Sequence, residues 1–418
     1  MTTSLTRRDL LRLAGASGVA TLPGLRGLAF AAGPAAPAIL IVVHLRGGCD
    51  ALNLVSPADA PPFIAARPPE LRVLAEGPDA GHALKQGPDP AIDFRLHTAA
   101  APLAELYGQG QLAFVHAVGV PDANRSHFVA TDMIEHGVGR TASLTRIGSG
   151  WLARYLQSAG SQGEAACAAG AVSGEYAGDA DTVAVPNLDG GFGLPGGKES
   201  EAVLSALYEG ARGPVGSVAR RTLAAVQKID RRLARDARSK VLPYRPPGRN
   251  YDAAGPFGAA LRTAAQLVKM EIGLSAVSLD IGGWDTHENQ PGRFKNAVMQ
   301  LARGLATFWD DMAAYHDRLL LVTVSEFGRR FRSNKSNGTD HGRAGLMAVL
   351  GGRVNGGRIL GSWPGLDSAR LEEGVDLAVT TDYRLVLSEI LAAHGGRKLA
   401  PQIFPDYRPT APLGLLRT

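Results

Sequence analysis

Residues 38–45 are an apolar run broken only by His44 and followed by Arg46-Gly47-Gly48. A run of this kind, with no alternation of apolar and polar positions, is the pattern of a strand buried on both faces of a parallel sheet. A helical stretch over 99–107 leads into a second apolar run over 111–118. The same alternation returns late in the chain, where the spacing predicts helix over 261–272, strand over 274–281, a long helix over 293–316, and strands over 318–324 and 346–350. Together these predict an α/β fold: a doubly wound, mainly parallel sheet with helices on both faces. In such sheets, sites gather beyond the carboxyl ends of the strands.

Residues 160–255 differ in character. They combine a Gly/Ala-rich stretch, the segment Gly190-Gly191-Phe192-Gly193-Leu194-Pro195-Gly196-Gly197, a basic helix over 217–240 and Leu242-Pro243-Tyr244-Arg245-Pro246-Pro247. This predicts a helical and loop insertion, or a cap over the site. The start of the chain is set apart as well. Thr6-Arg7-Arg8-Asp9-Leu10-Leu11 and the mild Ala/Gly/Leu stretch after it read as a twin-arginine export signal, residues 1–31, cleaved after Ala29-Phe30-Ala31. The mature domain is then 32–418, periplasmic or secreted, and no later segment is long and apolar enough to span a bilayer.

Charge changes the picture once the signal is set aside. The whole chain has 44 Lys+Arg against 39 Asp+Glu, of which Arg7, Arg8, Arg12, Arg26 and Asp9 lie in the signal; removing them leaves 40 against 38. The mature chain is therefore close to neutral and makes no case for a nucleic-acid partner. Its two cysteines, Cys49 and Cys167, either pair in an oxidising compartment or leave Cys49 as a small buried residue beside the site.

Candidate chemistry sits where strands should end. Asp50, Asp285, His287 and Glu326 each follow a predicted strand, and Asp340-His341 lies in a later loop. Carboxylate oxygen and neutral imidazole nitrogen are the ligands that hold zinc or manganese, with calcium as the oxygen-rich alternative. Arg125-Ser126-His127 follows the second strand and opens a helix. Ser126 suits either a helix N-cap or a nucleophile, since helix N-terminal N–H groups stabilise an anion. Arg125 suits a tetrahedral anion, and His127 a ligand, a base or a packed ring. The basic loop 329–335 either binds substrate anion or is solvated surface.

The segments HLRGGCDALNLVSP, VPDANRSHFVATDMIEHG, DIGGWDTHENQ, SEFGRR and TDHGRAG, together with the export signal, resemble the domain-of-unknown-function family 1501 across essentially the whole mature chain. That family in turn resembles the alkaline phosphatase superfamily, which includes sulfatases, phosphodiesterases and phosphomutases. The resemblance implies two divalent metals held by Asp and His, and a Ser, Thr or modified Cys nucleophile at a helix start. Asp50 then matches the first aspartate and Ser126 the nucleophile. Asp285 with His287 matches the ligand pair of one metal, and Asp340 with His341 that of the other. A further downstream histidine is missing, because only His394 follows and it falls in a C-terminal helix. Glu326 is the candidate replacement, unless it pairs with Arg329 or Arg343. One or two ions are expected. Formylglycine chemistry does not fit, since neither Cys49-Asp50-Ala51-Leu52 nor Cys167-Ala168-Ala169-Gly170 has the C-x-P-x-R setting. The expected function is hydrolysis of a small anionic phosphate or sulfate ester. The alternatives are a non-catalytic protein that binds an envelope component, and a phosphoryl-group transferase.

Overall fold

The first apolar run forms a strand whose successive side chains enter opposite cores. Ile39, Ile41, Val43 and Leu45 join one hydrophobic cluster, whereas Leu40 and Val42 join the other. Period-2 geometry with both faces covered produces this division. The computed structural model describes residues 25–30, 38–158, 165–167, 173–178, 182–396, 399 and 401–417. The expected signal lies outside these apart from Leu25–Phe30. No helix among the described residues is long and apolar enough to cross a membrane.

In chain order the strands begin with β1 Leu25–Phe30, β2 Ile39–Leu45, β3 Val55–Pro57, β4 His82–Ala83, β5 Phe94–Leu96 and β6 Leu112–Gly119. They continue with β7 Ala165–Cys167, β8 Thr182–Ala184, β9 Leu274–Ile281, β10 Leu319–Val324, β11 Gly345–Gly351, β12 Ile359–Leu360 and β13 Thr381–Asp382. The longer helices are α1 Ala101–Gly108, α2 His127–His136, α3 Trp151–Ser158, α4 Gly197–Glu209, α5 Pro214–Arg232, α6 Gly255–Lys269, α7 Gln290–Asp311 and α8 Tyr383–Gly395.

The main sheet runs β12-β6-β11-β10-β2-β9-β1-β7-β8, with β13 also on β6, and β3, β5 and β4 form a small second sheet. Its centre is parallel: β2 pairs in parallel with both β10 and β9. β11 departs from the parallel expectation, running antiparallel to β10 and to β6. The reversal matters for the site. The carboxyl ends of β2, β9 and β10 share one edge of the sheet, and an antiparallel β11 starts at that edge, so the residues just before it arrive there too.

Helices cover both faces. α7 buries Phe294, Ala297, Val298, Leu301, Ala302, Leu305, Phe308 and Trp309, a stripe at helical spacing that packs with α6 on one face. The long helix stops at Asp311 and continues as a 3-10 turn over Ala313–Arg318, where a single helix to 316 was predicted. The aliphatic side of α8 and the aromatic residues of α3 belong to the opposite face. Within 160–255, β7 and β8 extend the sheet beyond β1, while Ala225 and Ile229 of α5 pack into the first core.

Candidate metal centre

The loops beyond β2, β9 and β10 approach each other closely. At Gly47, with φ +123°, an added Cβ would lie 2.4 Å from the Asp285 nitrogen, so only glycine allows this contact. At Gly338 a Cβ would meet the His287 carbonyl oxygen at 2.3 Å, which brings the 334–341 loop against 286–287. Arg329 ties the loops together. Its fully buried guanidinium donates to the carbonyls of Gly48 at 2.7 Å, Gly47 at 2.5 Å, Thr339 at 2.9 Å and Trp284 at 3.1 Å, and to Asp285 Oδ1 at 2.5 Å.

Four side chains converge at this edge. His287 Nε2 lies 2.8 Å from His341 Nε2 and 3.1 Å from Asp285 Oδ1, and His341 Nε2 lies 3.4 Å from the same oxygen. His127 Nε2 stands 3.6 Å from Asp285 Oδ2. The far nitrogen of each ring meets an oxygen that only accepts. His287 Nδ1–H donates to Asp340 Oδ1 at 2.9 Å, His341 Nδ1–H to the Arg125 carbonyl at 2.9 Å, and His127 Nδ1–H to Glu326 Oε1 at 2.8 Å. These bonds fix the tautomers and leave a lone pair on each Nε2. The lone pairs of His287 and His341 therefore oppose each other at 2.8 Å, which is repulsive unless a proton or a cation lies between them.

A cation fits this geometry. Ligand atoms about 2.0–2.1 Å from a tetrahedral zinc stand about 3.3–3.4 Å apart; the 3.1 and 3.4 Å edges to Asp285 lie near this, and the 2.8 Å edge between the two imidazoles would open by about half an ångström on binding. A carboxylate has about four lone-pair sites, so the Arg329 bond leaves Asp285 able to ligate. The oxygen acceptors behind the imidazoles are the outer-shell partners that metal-ligating histidines ordinarily have.

The charges follow from these contacts. The Glu326 hydrogen bond raises the His127 pKa above the usual imidazole value. Burial pushes His341 down, which favours the neutral form that ligates. For Asp285, burial acts to raise the carboxyl, but Arg329 outweighs it and holds it below the usual carboxylate range. The His287 hydrogen bond does the same for Asp340. Burial would also raise Glu326, yet bonds from His127 and the Gly47 N–H leave it lowered.

The other predicted residues occupy different places. Asp50 is fully buried; Arg67 grips both its oxygens at 2.6 and 3.1 Å, and Gln290 Nε2 donates to Oδ2 at 2.6 Å. Thr286 and Thr339 in turn donate to Gln290 Oε1, so Asp50 braces the site from beneath instead of joining the imidazoles. Asp340 and Glu326 stand behind the rings. The Arg125 guanidinium is taken by Asp376 and Glu373, and its carbonyl serves His341. Ser126 is exposed at the start of α2 without a side-chain cap bond. His394 bonds Tyr155 and the Ser275 carbonyl, and Cys49 is a buried free thiol. Arg67, Gln290 and Asn334, which donates to Asp340 Oδ1 and the His287 carbonyl, were not singled out from sequence. For Gln290 the string around Asp285 and for Asn334 the basic loop 329–335 were the local signals; Arg67 had none.

A cleft of ≈ 440 Å³ opens beside His127 and Asp285, lined also by Arg46, Gly47, Phe128, Thr131, Asp132, Glu135 and Glu326. None of these comes from 160–255, the predicted cap. Behind Arg46 lies a second cluster, fully buried, in which His44, Glu135 and Glu175 offer atoms within 4.8 Å of one another.

Fold and site define an α/β protein with a histidine–carboxylate cluster at the common carboxyl edge of its parallel strands. A family model described as a protein of unknown function, DUF1501, matches residues 116–399, and the chain belongs to that family. The match includes all four converging residues. No curated protein matches the chain.

Proposed function

We propose that this protein is an exported, metal-dependent hydrolase of phosphate or sulfate esters, with one divalent cation held by Asp285, His287 and His341 and with His127 at its side. Zinc suits two imidazoles and a carboxylate best, and manganese comes next. The observation that carries the reading is the pair of Nε2 lone pairs opposed at 2.8 Å, each imposed by the oxygen behind its ring. When bound, the cation supplies Lewis-acid polarisation of an ester oxygen.

The chain's own groups divide the remaining work. Asp340, Glu326 and the Arg125 carbonyl hold the imidazoles in orientation, and Arg329 holds Asp285. Ser126, next to His127, is the candidate nucleophile, and the N–H groups at the start of α2 favour an anion beside it. With Asp50 committed to Arg67 and Gln290, the reading needs one ion only.

One observation favours a binding or envelope-assembly role on the same fold. Among the described residues no base bonds the Ser126 hydroxyl, and Arg125 is already neutralised by two carboxylates. Turnover of 4-nitrophenyl phosphate and sulfate by the zinc-loaded protein separates the two readings. The hydrolase reading expects turnover that Ser126→Ala abolishes. Turnover unchanged in the variant leaves Ser126 a helix-start residue, and no turnover of any monoester or diester discards the hydrolase.

A further inference from the structure

The positive charge of the chain is gathered in one segment. Residues 203–242 hold nine Lys and Arg against three Asp and Glu. Taken from the 40 and 38 that follow residue 31, these leave 31 against 35, so the rest of the domain is net acidic while this segment is strongly basic. The same segment holds Val203, Leu207, Val215 and Leu242, four of the six large hydrophobic side chains that stand exposed among the described residues. Exposed apolar residues scattered singly need no explanation, but these are concentrated where the charge is.

The two helices of the segment present this surface outward. α4 buries none of its 13 residues, and its Val203 and Leu207, one turn apart, share a face. Arg220 of α5 holds the end of α4 by donating to the carbonyls of Tyr208 at 2.6 Å and Ala211 at 2.8 Å. α5 itself is anchored through Ala225 and Ile229 in the first core, whereas Arg220, Ala224, Lys228 and Arg231, at i, i+4, i+8 and i+11, form an exposed stripe. The chain then turns back through the Arg235–Val241 bridge, which leaves Arg238, Lys240 and Leu242 exposed. The side chains of Arg231, Arg232, Arg238 and Lys240 make no ion pair among the described residues.

We infer that the α4–α5 surface docks on an anionic phospholipid bilayer, with its exposed aliphatic side chains entering the headgroup boundary and its unpaired cations meeting lipid phosphates. Long cationic side chains beside aliphatic anchors are the chemistry of a helix that lies on a membrane. A nucleic acid would meet the same charges but needs rings for its bases to stack on, and Tyr208 is the one aromatic residue in 203–242. The inference does not depend on the metal centre, none of whose residues lies in this segment.

The test is co-sedimentation of the full chain with vesicles of phosphatidylcholine containing one-third phosphatidylglycerol, beside vesicles of phosphatidylcholine alone. Binding to the anionic vesicles is expected to be about tenfold tighter or more, and to weaken as salt rises. Arg231→Gln/Arg232→Gln/Arg238→Gln/Lys240→Gln should lower it about tenfold or more, since each such charge near an anionic leaflet contributes roughly fivefold. Val203→Gln/Leu207→Gln should lower it about fivefold through lost apolar burial. All the substituted residues are exposed, and circular dichroism checks that both variants fold. Arg7 and Arg8 are present in every protein compared, so the variants read the α4–α5 surface alone. Equal binding to the two kinds of vesicle, or binding unmoved in either variant, overturns the inference. Binding of a thymidine oligonucleotide as tight as that of the anionic vesicles assigns the surface to nucleic acid and overturns it as well.

Discussion

Two clusters built from the same residue types lie on either side of Arg46 and are wired in opposite ways. In the half-exposed one, three imidazoles turn Nδ1 to oxygen acceptors and aim Nε2 at one another or at Asp285. In the buried one, His44 Nε2 meets Glu175 Oε2 directly at 2.7 Å, while Glu135 is held by Arg46 and the Gly174 N–H. The first arrangement leaves lone pairs facing each other; the second pairs unlike charges. Proximity of histidine and carboxylate thus does not define a metal site. What decides is which ring nitrogen the acceptor occupies, because that fixes where the free lone pair points.

The largest expected effects divide along this line. Purified protein loaded with zinc should hold about one equivalent, and the His287→Ala/His341→Ala variant should hold none by elemental mass spectrometry, since two ligands are gone. Glu175→Ala should keep the metal but lose about 3–5 kcal/mol of stability to denaturant, because it leaves the buried His44 without its counter-charge. The comparison breaks if Glu175→Ala empties the metal site, or if the double histidine variant retains its ion.

How much of this was legible in sequence follows the range of the interactions. The 274–281 strand coincides with β9 because apolar periodicity is local, and Asp285, His287, His341 and His127 stood out as candidates because each sits in a short, chemically marked string. The direction of β11 leaves no trace in periodicity. Its reversal is what delivers Asp340-His341, residues that precede a strand, to an edge otherwise reached by residues that follow one. Asp50 looked like a ligand because it follows β2, yet its partners Arg67 and Gln290 lie outside its own string. His44 vanished into an apolar run, and its partner Glu175 is 131 positions away in sequence, in a segment read as an insertion.

A smaller effect sharpens the role of the residues behind the rings. Asp340→Asn keeps the shape of the side chain but removes the charge that holds the His287 ring and tautomer. Outer-shell changes of this kind cost about 10–100-fold in metal affinity, measured here by competition against a chelator. An Asp340→Asn affinity equal to wild type would mean that the 334–341 loop orients His287 without this carboxylate, leaving Asn334 and the close approach at Gly338 to do so.

The mildest test removes no atom and uses pH alone. Metal ligation requires neutral imidazoles, and burial holds His341 below the usual imidazole value, so the ion should leave as pH falls below about 6.5. In the buried cluster, burial acts to raise the Glu175 carboxyl, but the His44 imidazole and Arg46 outweigh it and hold it at about 2. A carboxyl lowered on folding contributes stability that is fully present above its unfolded value, about 4.3, and is lost as pH falls from there towards the folded value. The two clusters should therefore fail in sequence, with metal released below about pH 6.5 while the fold persists, and the Glu175 contribution fading only below about pH 4. Metal content and near-ultraviolet circular dichroism followed along one acid titration read both events. Coincident transitions would mean that the ion and the buried pair belong to a single cooperative unit, and the division drawn between the two clusters would fall.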